Sequence, residues 1–391
     1  MNSLQRGVTA IIYSALTGQK ISLPEDLNFS ECVKIAKRHR IEVMFYHGAL
    51  NCGFEQNEPL MKELFMSACK SIVLSEQQSY AFAELLRAFD IHKIDFMPIK
   101  GIVLKGLYSN PQMRSMGDLD ILIKTEQYDK IKPVMQALGY AEVGESNHEL
   151  IWHRQNIHIE LHKRLIPSYN KDYYAYFGDG WQLAKKNDGT YYSMTDEDML
   201  IFLFTHFAKH YRDGGIGLRH MTDLWVYRKS KPDLNEEYIN NELKSLQLYE
   251  FYVNIINTLG VWFDGRKSDE KTDYITDFIF KSGIYGTGKA HILSEAVKMS
   301  KSVKSAKNVR IKKFFQIMFL PYKDMCGKYP FLKRIPVLLP FMWIYRLFNA
   351  VLFKGNKIKS DRQSIKLMTE ENIKKYQDAL NFVGLDFNFK E

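Results

Sequence analysis

The sequence predicts an α+β fold, in which a small mixed sheet is flanked by N-terminal helices and followed by a mostly helical C-terminal region. Apolar residues recur at helical spacing through the first ninety residues, short apolar runs follow between residues 94 and 165, and helical spacing returns after residue 195. The chain has 391 residues, of which 46% are hydrophobic and 25% charged. This length and composition exclude a disordered chain and suffice for two or three domains.

The central segment shows the order strand, helix, strand, helix, hairpin. Its strands are short apolar runs, its second helix ends at Gly139, and its hairpin turns at Asn156. The predicted segments are, in chain order, 95–100, 102–108, 118–123, 128–140 and 148–165. This order is typical of a small α/β core.

Helical patterns resume after this core. Thr195 is placed to cap a helix, with Asp198 three residues on as in a capping box, and Gly214 and Gly215 are expected to end that helix. We expect four regions along the chain. They are N-terminal helices over 1–92, the α/β core over 93–190, a helical domain over 191–304, and a basic, proline-punctuated helical region over 305–391.

The net charge of +9 is unevenly distributed. Residues 281–391 contain 22 Lys and Arg against 8 Asp and Glu, whereas residues 1–280 contain 32 against 37. A basic C-terminal third indicates an anionic partner, which nucleic acid, nucleotide phosphates or an anionic membrane surface would provide. A solvated surface that only aids solubility is the alternative.

The cysteines and the N-terminus indicate a cytoplasmic protein. Four Cys are scattered without the spacing of a zinc site or a disulfide framework, and residues 1–20 lack the pattern of a signal peptide. Residues 335–353 form the most apolar window but contain Arg346 and two prolines. We expect this window to pack on the protein. The alternatives are a membrane span, and an interfacial helix that would give a peripheral position at the membrane.

Two aspartates in the second predicted strand indicate a metal site. Side chains alternate along a strand, so Asp118 and Asp120 share one face. Two close carboxylates repel each other unless a cation lies between them, and a hard divalent ion such as Mg²⁺ binds carboxylates together with substrate phosphates. The pair alone also fits a solvent-facing edge strand.

Further residues favour phosphate chemistry. Lys100 and Gly101 lie at a strand-to-helix junction, where backbone N–H groups and the positive end of a helix favour phosphate binding. Glu160, on the second hairpin strand, supplies a third carboxylate, which a two-metal site needs. Arg114, just ahead of the aspartate pair, could neutralise the charge on a transferring phosphate.

With these motifs, the region resembles the nucleotidyltransferase superfamily that has the DNA polymerase beta type of catalytic core. More narrowly, it is similar to a bacterial family of uncharacterised nucleotidyltransferases. The matching motifs are K-G before a helix, R-x-x-G-D-L-D, L-G-Y and I-E-L-H, which contain Lys100, Gly101, Arg114, Gly117, Asp118, Asp120, Leu138 to Tyr140 and Ile159 to His162. The resemblance is tight over 94–165 and looser over 195–230. In the looser part, a helix with histidines and a later Arg and Asp correspond to His206, His210, Arg219 and Asp223.

The chain departs from the superfamily pattern at two positions. The phosphate turn usually has Gly-Ser or Gly-Gly, whereas this chain has Lys100 before Gly101. The third carboxylate is typically Asp, whereas here it is Glu160, which is one methylene longer. The first departure changes the turn expected to bind the triphosphate.

The resemblance implies a mechanism. Asp118, Asp120 and Glu160 would be the catalytic carboxylates and would bind two Mg²⁺ ions, with Mn²⁺ able to substitute. An acceptor hydroxyl would attack the α-phosphorus of a nucleoside triphosphate such as ATP, and pyrophosphate would leave. The nucleotide-binding residues implied are Lys100, Gly101, Arg114 and Gly117. The acceptor stays open between a protein, RNA, a sugar and a small molecule.

The remaining candidate residues and two other function classes stay open. We expect His162 to lie beside the carboxylates, where it either supports a metal ligand or contacts the substrate. The residues expected to line a cleft between the core and the helical region, or else to pack between helices, are His206, His210, Arg219 and Asp223. The two other classes are a catalytically silent nucleotide-binding relative, and a nucleic-acid or membrane-surface binding protein that acts through its basic C-terminal third.

Overall fold

We describe the protein from a computed structural model, which describes residues 1–284, 286–300, 305–353 and 355–386. Lys354 and residues 387–391 of the predicted basic region lie outside the described residues. Two units form, the first made of Met1–Tyr211, Gly215–Tyr285 and Val383–Glu391 and the second of Arg212–Gly214 and Gly286–Phe382. The predicted division into four regions stays a prediction.

The first unit contains the sheet and the helices that surround it. Its sheet strands are β1 (Phe96–Pro98), β2 (Leu119–Ile123), β3 (Ala141–Glu145), β4 (Glu149–Arg154) and β5 (Ile157–His162), and a separate short ribbon has β6 (Lys185–Lys186) and β7 (Tyr192–Ser193). The helices that begin in this unit are α1 (Ser3–Thr17), α2 (Phe29–His39), α3 (Glu42–Asn51), α4 (Pro59–Ile91), α5 (Gly101–Lys105), α6 (Tyr128–Ala137), α7 (Lys171–Phe177), α8 (Asp196–Asp213), α9 (Leu218–Ser230), α10 (Glu236–Ser245), α11 (Tyr249–Phe263) and α12 (Glu270–Ser282). The predicted α+β fold is confirmed.

The sheet is mixed, and its strand order is β1-β2-β5-β4-β3. β2 and β5 run parallel, while the other neighbours are antiparallel. The predicted hairpin around Asn156 is present as β4 and β5, and the preceding Gln155 has a φ of 54°, which allows the tight turn. The central position of β2 and β5 puts both predicted acidic motifs next to each other.

One face of the sheet forms the core with α4 and α6. The odd-numbered residues of β2 and β5 point into it, and Leu119, Ile121 and Ile159 are fully buried there. From α4, Leu85 and Phe89 pack against the same cluster. Because side chains alternate along a strand, this packing directs the even-numbered residues to the opposite face.

Local signals explain several helix boundaries. The backbone N–H of Asp198 donates to the Thr195 hydroxyl at 3.0 Å, which is the predicted cap of α8. The helix ends before Gly214 and Gly215, whose φ values of 151° and 118° are readily adopted by glycine and rarely by other residues. At the N-terminus, the side chains of Asn2 and Gln5 form a reciprocal capping box on α1.

The second unit is helical. Its helices are α13 (Gly288–Ser300), α14 (Ala306–Met318), α15 (Tyr322–Lys328), α16 (Leu339–Phe353), α17 (Gly355–Leu367) and α18 (Glu370–Phe382). A small cluster of Met325, Cys326 and Leu332 is buried there under side chains of α16. Within the described part of the chain, no helix is long and apolar enough to cross a membrane.

Candidate active site

Two neighbouring parallel strands bring the predicted carboxylates together. Asp120 on β2 pairs in register with Glu160 on β5, so the two side chains leave the sheet side by side on its polar face. Asp118 lies immediately before β2, two residues from Asp120, with Gly117 in the bend ahead of it. Asp120 is buried, whereas Asp118 and Glu160 are partly exposed.

Lys100 places a cation among these carboxylates. It lies in the turn between β1 and α5, and its Nζ is 2.6 Å from Oδ1 of Asp120 and 3.4 Å from Nε2 of His162. Its φ of 54° and ψ of −119° are uncommon for any residue with a Cβ. Such a conformation costs about 1–3 kcal/mol. The fold therefore holds Lys100 in a strained turn that aims its ammonium group at Asp120.

A row of histidines extends the site along the hairpin. Nε2 of His162 lies 2.7 Å from Oδ1 of Asp120, and Nδ1 of the same ring lies 3.2 Å from Nε2 of His148. His162 is buried, with 1% of its surface exposed, and its Nε2 is also 3.5 Å from Oε2 of Glu160. This geometry connects the two imidazoles and the Asp120 carboxylate in one polar network.

The pKa values of Asp118 and Asp120 are shifted in opposite directions. Burial and the neighbouring carboxylates of Asp120 and Glu160 raise the pKa of Asp118 to about 6. Burial also opposes the ionisation of Asp120, but Lys100 and His162 outweigh it and hold the Asp120 pKa well below its usual range. Asp120 is therefore ionised at neutral pH. The ionised form of Asp118 is disfavoured by its surroundings, and a bound cation would stabilise it.

The pKa values of Lys100 and His162 are raised by the same carboxylate cluster. Burial disfavours the Lys100 ammonium, yet the Asp120 carboxylate raises its pKa above the ordinary value. Burial and Lys100 disfavour the imidazolium of His162, yet hydrogen bonds with Asp120 and Glu160 raise the His162 pKa. The pKa of His148 is strongly lowered, first by burial and then by His162. A neutral His148 accepts from His162, which donates to Asp120 with its other nitrogen.

Two overlapping groups of side chains could hold a metal ion. Ligand atoms of Asp120, Glu160 and His162 lie within 4.8 Å of one another, and so do those of His148, Glu149 and His162. Asp118 interacts electrostatically with Asp120 and Glu160 at the edge of the first group. Mg²⁺ and Mn²⁺ prefer oxygen ligands, so the carboxylates fit either ion, whereas the imidazole suits a metal such as Zn²⁺.

Arg114 and Asp223 form a buried ion pair. Nε and Nη2 of Arg114 donate to the two Asp223 oxygens at 3.0 and 2.9 Å, and the Tyr108 hydroxyl donates to Asp223 at 2.7 Å. The third guanidinium nitrogen of Arg114 donates to the Ser115 carbonyl at 2.8 Å, which also accepts from Arg219 at 2.9 Å. These contacts fix the loop before β2 to α9.

Gly101 belongs to the same layer. A Cβ at Gly101 would lie 3.1 Å from Sδ of Met116 and 3.2 Å from Nη1 of Arg114. The close approach requires glycine or a shift of these side chains. Gly101 thus lets the Arg114 loop pack directly against the phosphate turn predicted from the sequence.

The histidines of α8 lie near the site, since the Lys100 ammonium acts electrostatically on His206. The rings of His206 and His210 are in edge contact, with centroids 4.4 Å apart. Burial, and then His210 and Lys100, lower the His206 pKa well below its ordinary value. His206 is therefore a neutral ring beside a cation, which suits a packing or hydrogen-bonding role.

Comparison with known proteins places this geometry in a family. A family model described as uncharacterised nucleotidyltransferase matches residues 25–264, which is more than half of the chain. The chain belongs to this nucleotidyltransferase family. The solution structure of the antibiotic-resistance factor ANT(2'')-Ia is similar over 47% of this chain and 97% of its own, at 12% identity and a TM-score of 0.34. No curated protein matches the chain.

Sequence reasoning passed over one residue of this site, Glu149. Glu149 pairs with His162 across the hairpin, and burial followed by Glu160 raises its pKa. The register that places it there follows from the turn at Gln155 and Asn156, because pairing outward from that turn matches Glu149 with His162. A register argument from the predicted hairpin could therefore have found it.

Proposed function

We propose that this chain transfers a nucleotidyl group from a nucleoside triphosphate to a hydroxyl acceptor, with a divalent cation, and releases pyrophosphate. The observation that carries the proposal is the register of the two parallel strands, which sets Asp120 beside Glu160 with Asp118 on the same face. Membership in a nucleotidyltransferase family supplies the reaction class. The proposal adds the cation, the acceptor chemistry and the residue roles.

Asp118, Asp120 and Glu160 are the proposed cation ligands. The raised Asp118 pKa fits this role, because burial and the neighbouring carboxylates destabilise its ionised form and a bound cation would offset that destabilisation. Mg²⁺, or Mn²⁺ in its place, would neutralise phosphate charge there and favour deprotonation of the acceptor hydroxyl. The resemblance of the motifs implies two such ions.

The chain's own residues have distinct proposed tasks. Lys100 supplies a positive charge at the phosphate turn, and Gly101 allows the turn to pack closely. His162 orients Asp120 by a 2.7 Å hydrogen bond and is itself oriented by His148. Arg114 has three donors engaged by Asp223 and Ser115, so we assign it to positioning the loop before β2 rather than to a phosphate contact.

A catalytically silent nucleotide-binding protein is the second candidate. The observation that favours it is the Lys100–Asp120 ion pair, because an internal ammonium already neutralises the carboxylate that a metal would use. In that case, the chain would bind a nucleotide without turnover. Measuring product in addition to binding separates the two candidates.

The test is incubation with Mg²⁺ and each of the four α-labelled nucleoside triphosphates. Label on the protein, label on added bulk tRNA, and pyrophosphate release are followed together. The variant is Asp118→Asn with Asp120→Asn, and the matched control is Asp129→Asn, an exposed aspartate on α6. Product that persists in the control and disappears in the double variant is the expected result.

The opposite results are equally specific. Nucleotide binding without product for all four nucleotides and for these acceptors would favour the silent relative. Product that survives in the double variant would remove the assigned carboxylates from catalysis. Absence of both binding and product would contradict the proposed function.

A further inference from the structure

The second unit carries an unusual concentration of exposed apolar side chains between residues 311 and 352. The large hydrophobic residues exposed there are Ile311, Phe314, Phe315, Phe319, Tyr322, Phe331, Ile335, Val337, Phe341, Ile344, Tyr345, Phe348 and Leu352. Exposed apolar patches of this kind mark interaction surfaces. We call this set the aromatic surface.

On α16, the exposed side chains form a stripe along one face. Phe341, Ile344, Phe348 and Leu352 recur at intervals of three or four residues, with exposed fractions from 54% to 70%. Other side chains of α16, among them Trp343, pack against the Met325–Leu332 cluster. The described side chains of α16 are thus apolar on both sides, and those of one side are exposed.

Ring contacts join the covered side of α16 to α14 and to the residue that follows α14. Phe315 stacks on Phe319 at a centroid distance of 5.9 Å, and Phe319 meets Trp343 edge-on at 5.2 Å. The Trp343 indole donates to the Leu320 carbonyl at 2.9 Å, and Arg346 donates to the Met318 carbonyl at 2.7 Å. These bonds fix α16 against the end of α14.

Basic residues accompany the aromatic surface. Residues 305–353 contain nine Lys and Arg and one acid, Asp324. The exposed basic residues there include Lys307, Arg310, Lys323, Lys333 and Arg334. Positive charge beside exposed Phe, Tyr and aliphatic side chains is the composition of helices that lie in a membrane interface.

We propose that the aromatic surface binds the surface of an anionic lipid bilayer. Its apolar side chains would enter the boundary between head groups and acyl chains, and its basic side chains would bind the anionic head groups. The absence of a helix able to span a bilayer among the described residues is consistent with a helix that lies flat. Aliphatic members such as Ile344 and Leu352 fit lipid better than RNA, because they offer no plane on which bases could stack.

Vesicle flotation of the full chain tests the proposal. The vesicles contain phosphatidylcholine alone, or phosphatidylcholine and phosphatidylglycerol in equal parts. We expect flotation with the anionic vesicles and a decrease as salt is raised. The variant Phe341→Ser, Ile344→Ser, Phe348→Ser should weaken binding at least about tenfold, since each side chain loses its apolar burial.

Two further variants sharpen the test. Met66→Ser, Val73→Ser, Tyr80→Ser changes side chains on α4 that are 58–71% exposed, and it should float like the unchanged protein. Lys333→Glu with Arg334→Glu should weaken binding to anionic vesicles by about fivefold or more per side chain, with little change on neutral ones. Circular dichroism of each variant checks that it is folded.

Three outcomes would overturn the proposal. One is equal flotation of the α16 variant and the unchanged protein. Another is a dimer in sedimentation velocity that the α16 variant dissociates, which would make the aromatic surface a contact between two copies. The third is no flotation together with binding of labelled single-stranded RNA that Lys333→Glu with Arg334→Glu abolishes.

Discussion

Nζ of Lys100 lies 2.6 Å from Oδ1 of Asp120, and both side chains are largely buried. The backbone of Lys100 is held in a conformation that favours glycine, so the pair forms at a local cost. An ammonium group and a divalent cation repel each other when both bind the same carboxylate oxygen, so each weakens the binding of the other. Lys100 therefore sets how readily the site accepts a metal.

Replacing Lys100 by Met should raise the affinity for Mn²⁺. The substitution removes a positive charge from the carboxylate cluster while keeping a side chain of similar length. At a few ångströms, even a well-screened charge is worth more than 1 kcal/mol, so we expect at least about a tenfold tighter dissociation constant. Isothermal titration calorimetry with MnCl₂, without nucleotide, measures it.

Lys124→Met is the matched control for this experiment. Lys124 also pairs with an aspartate, Asp95, at 2.7 Å, and Lys124 lies just after β2, whereas Lys100 lies just before α5. Its removal should leave Mn²⁺ affinity unchanged. A Lys100→Met protein that binds Mn²⁺ no better than the control would show that the ammonium does not compete with the metal.

The two aspartates should respond to substitution in opposite directions. Ionised Asp118 is disfavoured in the folded protein, because its pKa of about 6 exceeds the unfolded value of about 3.9. The folded state thus holds the proton more tightly, and Asp118 lowers stability as pH rises from 4 to 6. In EDTA at pH 8, Asp118→Asn should raise the free energy of unfolding by about 1–2 kcal/mol.

Asp120→Asn should instead destabilise the protein. The Asp120 pKa is lowered by Lys100 and His162, so its contribution is present above the unfolded pKa and is lost as pH falls below it. The substitution leaves the buried Lys100 ammonium and the His162 ring without their carboxylate, at a cost of about 3 kcal/mol. Urea denaturation at pH 8 and at pH 3.5 checks both variants. Equal effects of the two substitutions would contradict the assigned electrostatics.

The buried contact of Arg114 with Asp223 predicts a large stability effect. Asp223→Asn weakens the bidentate pair and leaves the guanidinium partly unpaired, which should cost about 3–5 kcal/mol. Tyr108→Phe removes one hydrogen bond to the same carboxylate and should cost about 1–3 kcal/mol. Thermal or urea unfolding of each variant measures these values.

A double replacement tests whether Arg114 positions the loop or binds phosphate. Arg114→Met with Asp223→Leu removes both charges, so its stability should exceed that of either single variant. If Arg114 only positions the loop, nucleotide affinity should recover with stability in the double variant. Affinity that stays lost in a stable double variant would instead assign Arg114 to the phosphates.

The sequence predicted the acidic strand and the hairpin because both are local patterns. Asp118, Asp120 and Glu160 follow from alternation along strands, and the turn at Asn156 fixes the hairpin. The parallel pairing of β2 with β5 joins residues forty apart, and it supports the resemblance that first linked them. What the pattern predicted here was which faces the residues share.

The pairing of the cations was not accessible from the sequence. Lys100 and Arg114 were both expected at phosphates, yet Lys100 pairs with Asp120 and Arg114 with Asp223, 109 residues away. Such choices depend on the path of the turn and on which helix packs over it. Likewise, the window 335–353 was expected to pack on the protein, but its exposed stripe depends on how α15 covers only one side of α16.

His39, which lies away from the candidate active site, should make the stability of the protein sensitive to acid. The first residue of α9, Leu218, donates its backbone N–H to Nδ1 of His39 at 3.1 Å, and Gly217 provides no side-chain cap. A Cβ at Gly217 would lie 3.0 Å from that nitrogen and 2.8 Å from the Ile284 Cα, so glycine permits the approach. His39 thus caps α9 from α2.

The cap works only while His39 is neutral. Burial, and then Arg38, lower its pKa to about 4, against about 6.5 in the unfolded chain. Between these values, the unfolded state binds the extra proton, so stability falls as pH decreases from 6.5 to 4, by about 3 kcal/mol in all.

His39→Asn keeps an acceptor but cannot titrate, and it should lack this part of the decrease. His92→Asn, at an exposed histidine, is the control and should keep it. Urea unfolding at several pH values measures the slope, and an unchanged slope in His39→Asn would mean that another group controls acid sensitivity.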